Sequence, residues 1–215
     1  MAQRTLVLLN HPDTTSTTPL ATLSNLKLAL KGMATRMNED DLLVLFLTSH
    51  GSKDHQLYVD MQPLPLDWIE PGDLRAALDA AGIDWRVVIV SACYSGGFID
   101  ALQNPMSLVI TAARADRPSF GCGDDSEITY FGRAFLVDAL NQTRSLPAAF
   151  ELAKEGVAAR EKAEDFDPSD PQIFVGALIG QRLQSWTDAL APADAVAFVP
   201  TVPKTACEKD DEPCP

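Results

Sequence analysis

Short apolar runs alternate with longer amphipathic stretches along this chain. The run Val87-Val88-Ile89-Val90 consists of β-branched residues only, which favour a strand buried on both faces. Residues 56–66 contain Pro63 and Pro65 and predict a small hairpin or loop. The pattern predicts strands at residues 5–9, 41–48, 86–90, 107–111 and 171–179, and helices at residues 20–37, 73–81, 131–140, 147–162 and 181–190.

Strands that alternate with helices predict an α/β fold, a three-layer sandwich in which helices cover both faces of a mostly parallel sheet. The sequence shows no internal repeat and no clear second domain, so residues 1–191 are predicted to form a single domain. Residues 192–215 are rich in Pro, Ala and charged residues, which predicts a loosely packed acidic tail. Deleting the residues after Pro200 should therefore leave the melting temperature nearly unchanged.

The net charge of -13 argues against nucleic acid or an anionic membrane as a general partner, because the field of the protein repels both. No apolar run approaches the ~20 residues needed to span a bilayer. The first residues do not resemble a signal peptide, so the cytoplasm is the default compartment.

Four cysteines are too few for a disulfide scaffold in a chain of 215 residues. Cys93 and Cys122 lie in the apolar body, whereas Cys207 and Cys214 lie in the tail. The tail pair has no neighbouring histidine and no CxxC spacing, so no metal site is predicted, and no cofactor either. Histidine-dependent chemistry is restricted to the three histidines, His11, His50 and His55.

Two predicted strands end in residues that can carry chemistry. His50 and Gly51 follow the strand at residues 41–48, and Cys93 follows the strand at residues 86–90. Active sites of parallel sheets lie beyond the carboxyl ends of the strands, so these residues are expected to meet at one edge. A free thiol has a pKa of about 8.5, and a nearby imidazole can take its proton. The backbone N–H groups of Gly51 and Cys93 are candidate donors to a substrate oxyanion.

Each of these residues alone has a simpler interpretation. A cysteine at the end of an apolar strand is more often a buried small hydrophobe than a nucleophile. His55 is interpreted as a surface residue, His11 as a loop residue and Cys122 as structural, in a packed turn. Gly96 and Gly97 are interpreted as leaving room for a peptide beside the nucleophile. Only the pairing of the two strand-end motifs favours catalysis.

Successive motifs of the chain resemble those of the legumain (asparaginyl endopeptidase) family of cysteine peptidases, and more narrowly its bacterial branch. The similarity runs from about residue 5 to 179 and includes Phe46-Leu47-Thr48-Ser49-His50-Gly51-Ser52, Val90-Ser91-Ala92-Cys93-Tyr94-Ser95-Gly96, Ile110-Thr111-Ala112-Ala113, Ser119-Phe120-Gly121-Cys122 and Thr129-Tyr130-Phe131-Gly132. It implies a caspase–haemoglobinase fold of the caspase-like clan CD, polypeptide substrates and a metal-free Cys–His dyad that works through an acyl-enzyme thioester. In this resemblance Cys93 matches the family nucleophile, His50 its base and Gly51 its oxyanion-hole residue.

The chain departs from the family pattern around the substrate pocket. Ser91 stands where legumains have an acidic residue, and Arg133 stands where they have a pocket aspartate, so asparagine specificity does not carry over. The family's first strand and helix, which hold a pocket arginine, have no counterpart. Residues 5–9 are therefore expected either to pair with residues 41–48 or, as we favour, to be poorly supported because the chain is a fragment. Ser91, Ser119 and Arg133 are the candidate pocket residues, and an Arg133 that points into the pocket would favour an acidic substrate residue.

The leading hypothesis is a cysteine endopeptidase, and two alternatives stay open. In a transamidase of the same family an amine accepts the acyl group, which product analysis with an added amine would reveal. A non-catalytic α/β binding or regulatory module could retain the dyad by descent, and it would react slowly with a thiol probe. A dinucleotide-binding protein is disfavoured because no GxGxxG motif follows the first predicted strand.

Overall fold

Strand β2 (Arg86–Ser91) is buried along its whole length in the computed structural model, which describes residues 4–121 and 128–189. Val88 and Val90 pack into a core on one side of the sheet, and Val87 and Ile89 pack into a second core on the other side. This alternation follows from the two-residue period of a strand. A strand of β-branched residues therefore separates two apolar layers.

The sheet contains four strands among the described residues, in the order β1-β2-β3-β4. Strand β1 (Leu43–Thr48) pairs with β2 in parallel, and so does β3 (Ser107–Thr111). Strand β4 (Gln172–Val175) pairs with β3 in antiparallel orientation. The prediction of a mostly parallel sheet is confirmed.

Helices cover both faces of the sheet, which confirms the three-layer α/β architecture. The first core contains residues of α1 (Leu23–Ala34), α2 (Pro71–Ala80) and α3 (Phe98–Leu102). The second core contains residues of α4 (Tyr130–Gly132), which continues as the π-helical stretch Arg133–Ala139, and of α5 (Leu146–Ala163) and α6 (Ala177–Ala189).

Capping residues explain where three of these helices begin. The side chain of Thr22 accepts a hydrogen bond from Asn25 N at the start of α1, and that of Ser145 accepts one from Ala148 N at the start of α5. At α2, Glu70 forms a capping box with Asp73 around Pro71. Such caps satisfy N–H groups that have no partner inside the helix. They start α1 three residues later, and α2 two residues earlier, than the apolar periodicity predicts.

The reversed direction of β4 follows from the two helical segments that precede it. The chain leaves β3 at its carboxyl end, crosses the sheet through α4 and its π-helical continuation, and returns through α5. The loop after α5 is back at the edge where β3 ended, because Arg114 N donates a hydrogen bond to the carbonyl of Ser169 at 2.9 Å. Two crossings therefore return the chain to its starting edge, and β4 runs against β3.

The prediction of a strand at residues 5–9 is wrong. Residues 4–10 form no regular element, and among the described residues β1 has β2 as its only neighbour in the sheet. Leu6, Val7 and Leu9 are exposed, whereas Leu8 packs against the first core. The side chain of Asn10 holds this segment through hydrogen bonds to both backbone groups of Ala21. An apolar run without a neighbouring strand to receive its hydrogen bonds does not become a strand.

Several predictions fall outside the described residues. These are the loosely packed tail at residues 192–215 with Cys207 and Cys214, and the structural interpretation of Cys122.

Candidate active site

The ends of β1 and β2 place His50 and Cys93 at the same edge of the sheet. Thr48 is the register partner of Ser91, and the N–H of Ser49 donates to the carbonyl of Ser91 at 3.3 Å. His50 lies two residues beyond Thr48, and Cys93 lies two residues beyond Ser91. In a parallel pair, equal steps beyond two paired residues reach the same level along the strand direction. The two strand-end motifs are therefore neighbours.

Gly51 lies directly against the backbone of Cys93. A Cβ atom added to Gly51 would lie 2.0 Å from the carbonyl oxygen of Cys93 and 3.2 Å from its nitrogen. Any residue with a side chain would have to displace one of the two segments, so the close approach depends on glycine. The sequence singled out Gly51 as a residue whose N–H can approach a substrate carbonyl, and the structure brings Gly51 against the backbone of Cys93.

Cys93 is half-buried. The N–H of Ser119 donates to its Sγ atom at 3.2 Å, and the hydroxyl of Ser119 lies 3.7 Å from the same atom. The thiol in turn donates to the carbonyl of Ser119 at 3.4 Å. An N–H group that points at sulfur stabilises a thiolate by hydrogen bonding. Ser119, a pocket candidate from the sequence, thus contacts the candidate nucleophile itself.

A sharp turn after β2 presents the thiol. Tyr94 has a left-handed backbone with φ of 55°, and its N–H donates to the carbonyl of Arg117 at 2.8 Å. A short 3-10 turn, Ser95–Gly97, then leads into α3, and the hydroxyl of Ser95 accepts a hydrogen bond from Ala113 N. Left-handed backbone is rare in non-glycine residues and is concentrated at functional turns. The chain around Cys93 is therefore held by the loop that follows β3.

His55 is part of this arrangement, and its interpretation as a surface residue is wrong. Its ring is half-buried, and its Nδ1 atom lies 3.0 Å from the carbonyl oxygen of Tyr94. The ring also occupies the space beside Gly97, where an added Cβ would lie 2.1 Å from the ring carbon Cγ. Beside Gly96, an added Cβ would lie 2.4 Å from the N atom of Ala115. The glycines after Cys93 thus make room for the protein's own residues and not for a peptide.

His50 is exposed to solvent at the edge of the site. Its carbonyl accepts a hydrogen bond from Tyr58 N at 3.0 Å, and its ring meets the ring of Tyr58 edge to face with 6.3 Å between centroids. An exposed imidazole on a hydrogen-bonded backbone is accessible to a substrate. His11, in contrast, caps the short Pro12–Thr14 turn and is also exposed.

The sequence profile of the Peptidase C13 family matches residues 10–181, which is most of the chain. The chain belongs to the peptidase C13 family. This is the legumain family of clan CD, so the resemblance is confirmed, and the protein is a cysteine peptidase acting on polypeptides. Among curated proteins, none matches the sequence significantly.

A solved structure supports the fold of this C13 peptidase. The crystal structure of caspase-1 from Spodoptera frugiperda is similar to the chain with a TM-score of 0.50 and 16% sequence identity. The match covers 74% of this chain and 69% of that chain. At this identity the likeness concerns the fold alone, and it confirms the caspase-like architecture.

The other two pocket candidates lie in different surroundings. Ser91 is 1% exposed, and its hydroxyl is 3.0 Å from that of Thr129. Thr129 in turn caps α4 by accepting a hydrogen bond from Gly132 N. Ser91 therefore ties the end of β2 to the start of α4. Arg133 begins the π-helical stretch with an exposed side chain, and its guanidinium has no hydrogen bond or ion pair with the described residues, whereas its N–H donates to the carbonyl of Thr129 at 2.9 Å.

Residues 4–121 and 128–189 offer neither a cluster of metal-ligating side chains nor a membrane-spanning helix. No group of three or more His, Cys, Asp or Glu side chains in these ranges could hold a metal ion. No helix there is long and apolar enough to cross a membrane.

Proposed function

We propose that this C13 peptidase is an endopeptidase in which Cys93 is the nucleophile and His50 its general base. The observation that carries the proposal is the contact between the backbones of Gly51 and Cys93 at the carboxyl ends of two paired parallel strands. His50 precedes Gly51 directly, so its side chain starts one residue from the point where the chain meets the backbone of Cys93. A thiol and an imidazole so placed form the minimal set for nucleophilic catalysis.

Acylation begins with proton transfer from the Cys93 thiol to His50. The sulfur electron pair forms a bond to the carbonyl carbon of the scissile peptide, and the π electrons of the carbonyl move to its oxygen. When this intermediate collapses, the C–N bond breaks and His50 returns the proton to the leaving amine. The acyl part of the substrate stays on Cys93 as a thioester.

Deacylation uses the same two residues. His50 takes a proton from water, the water oxygen attacks the thioester carbonyl, and the C–S bond breaks. The thiolate of Cys93 then recovers its proton from His50. An amine that replaced water would give transamidation, so the ratio of the two products with an added amine is a direct measure of the reaction type.

The oxyanion formed in both steps needs hydrogen-bond donors. The N–H of Gly51 donates to no acceptor among the described residues, which leaves it available. It lies against Cys93, so we assign Gly51 N–H and Cys93 N–H to the oxyanion hole. The loss of one such donor slows acyl transfer by about 10²–10³-fold in well-studied enzymes.

The acyl side of the site is assigned to Ser119 and Arg133. Ser119 contacts the thiol through its backbone and hydroxyl groups. Arg133 lies near the end of β2, because Thr129, which caps α4, is bonded to Ser91. An unpaired guanidinium binds a carboxylate through two parallel hydrogen bonds. We therefore propose that the residue before the scissile bond is acidic.

Peptide-library cleavage read by mass spectrometry tests the proposal, with thiol alkylation as a second readout. We expect Cys93→Ala to abolish cleavage and His50→Ala to slow it by about 10²–10⁴-fold. In the intact protein, Cys93 should alkylate faster than Cys122 and at lower pH than a free thiol, and His50→Ala should remove this difference.

His11→Ala is the matched control, since it removes an exposed histidine from another segment and should change neither readout. Equal alkylation of Cys93 and Cys122, or full activity without His50, would refute the dyad.

A further inference from the structure

Two large aromatic side chains are exposed beside His50. Tyr58 is 38% exposed and Trp68 is 40% exposed, and their ring centroids lie 4.0 Å apart with an interplanar angle of 44°. Covering an exposed aromatic ring removes apolar surface from water, which is favourable. An exposed pair of such rings at the edge of the candidate active site therefore marks a surface that a ligand can cover.

Local backbone pairing explains why these rings point outward together. Leu57 and Ile69 exchange both backbone hydrogen bonds, at 2.9 and 3.0 Å, and both side chains are buried. Tyr58 and Trp68 flank this pair, so their side chains stand on its opposite face. The buried pair fixes the exposed pair.

The same segment is joined to His50. The N–H of Tyr58 donates to the carbonyl of His50 at 3.0 Å, and the carbonyl of Tyr58 accepts from the hydroxyl of Ser49 at 2.7 Å. The rings of His50 and Tyr58 are in edge-to-face contact. The aromatic pair therefore keeps a fixed position relative to the imidazole.

The chemistry of acylation determines which part of a substrate passes this position. His50 must reach the nitrogen of the leaving amine to protonate it, and a chain advances about 3.3–3.6 Å per extended residue. The first or second residue after the scissile bond therefore comes within reach of Tyr58 and Trp68.

We propose that Tyr58 and Trp68 form a subsite for a large apolar side chain, aromatic or aliphatic, on the leaving-group side of the scissile bond. This subsite rests on the proposed function for its place in the reaction, since it takes His50 as the proton donor. An apolar side chain packed against the two rings would remove both from water. Aromatic residues that anchor recognition sites become buried in the same way.

The first test measures kcat/KM on internally quenched peptides that differ only in the two residues after the scissile bond. We expect peptides with Phe or Leu there to be cleaved about tenfold faster than those with Gly. Trp68→Ala should remove this preference and leave alkylation of Cys93 unchanged, and Trp68→Phe should restore most of it. Equal rates for all peptides, or faster cleavage with Arg or Lys, would overturn the apolar assignment.

A second test needs no turnover, so its outcome is independent of the proposed function. Cys93→Ala protein is titrated with the leaving-group peptides Phe-Leu amide and Gly-Gly amide while tryptophan fluorescence is followed. The apolar peptide should give a saturable change that is lost in the Cys93→Ala, Trp68→Phe double variant, and the glycine peptide should give none. A wild type that cleaves nothing but still shows this binding would contradict the endopeptidase alone, whereas cleavage without this binding would contradict the subsite alone.

Discussion

The Nδ1 atom of His55 lies 3.0 Å from the carbonyl oxygen of Tyr94, the residue that follows the candidate nucleophile. A carbonyl oxygen only accepts, so Nδ1 carries the hydrogen in this contact. His55 belongs to the loop that begins with His50, and Tyr94 belongs to the turn that presents Cys93. This hydrogen bond joins the two loops of the proposed dyad.

We expect His55→Asn and His55→Asp to behave differently although the two side chains have the same shape. Both tolerate the left-handed backbone of His55, whose φ is 63°. Asn keeps an N–H donor for the carbonyl of Tyr94, whereas ionised Asp places a negative charge against it. Alkylation of Cys93 should stay near the wild-type rate in the Asn variant and fall about tenfold in the Asp variant, as loss of a hydrogen bond of about 1.4 kcal/mol implies.

The melting temperatures of the two His55 variants serve as the control for general unfolding. If Asn and Asp slow alkylation equally, His55 acts through its bulk against Gly97 and not through its hydrogen bond.

Replacing Gly51 by Ala should damage both stability and reactivity. The new Cβ would overlap the carbonyl oxygen of Cys93, which is backbone and cannot rotate away. Overpacking of this kind costs about 1–3 kcal/mol in the free energy of unfolding, and the forced shift separates the two strand ends. Urea denaturation and the alkylation rate of Cys93 measure the two effects.

Gly32→Ala is the matched control for Gly51→Ala. An added Cβ at Gly32, inside α1, meets nothing within 4 Å. Because alanine favours a helix over glycine, this variant should be stabilised by about 0.5–1 kcal/mol. A Gly51→Ala protein that is as stable and reactive as the wild type would show that the two segments separate without cost.

Local sequence determines most of the secondary structure in this chain. The β-branched run of β2 and the 3.6-residue periodicity of α5 carry their own signals, and the structure has both elements within two residues of the predicted bounds. The predicted strand at residues 5–9 has an equally apolar composition, but a strand also needs a neighbour to pair with. That requirement is not visible in the run itself.

The candidate site was predictable only where its residues follow strands. His50, Gly51 and Cys93 were found because parallel strands bring their carboxyl ends together. His55 was missed because its contact with Tyr94 joins residues 39 positions apart, with no local pattern. Ser91 was considered a pocket residue from the family resemblance, and its burial against Thr129 depends on where α4 packs.

Arg133 provides a test of specificity on the acyl side. If its guanidinium binds the carboxylate before the scissile bond, Arg133→Gln should lower kcat/KM for Asp and Glu substrates by about 10–100-fold and hardly change it for Ala substrates. Arg133→Lys keeps the charge but not the two-pronged geometry, so we expect it to restore only part of the preference. Strict cleavage after asparagine in a peptide library would rule out this role.

Asp79 should make stability depend on pH in the acid range. Partial burial alone raises the pKa of Asp79, but hydrogen bonds and charges from Arg75 and Arg86 outweigh it and hold the pKa below the ordinary value of 3.8. Arg86 is buried at the start of β2, and its guanidinium donates to Asp79 at 3.0 Å. A depressed folded-state pKa stabilises the protein above the unfolded-state pKa, and this contribution is lost as pH falls through the folded-state value.

The carboxylate is 47% exposed, so screening limits the expected loss in Asp79→Asn to about 1–2 kcal/mol at pH 7. Urea denaturation of the wild type and of Asp79→Asn should show this difference at pH 7 and a smaller one below pH 4. Asp116→Asn is the control, because it breaks an exposed pair with Arg114 and should match the wild type at pH 7. A difference that stays constant down to pH 3 would mean that Asp79 stabilises the fold by packing and not by its charge.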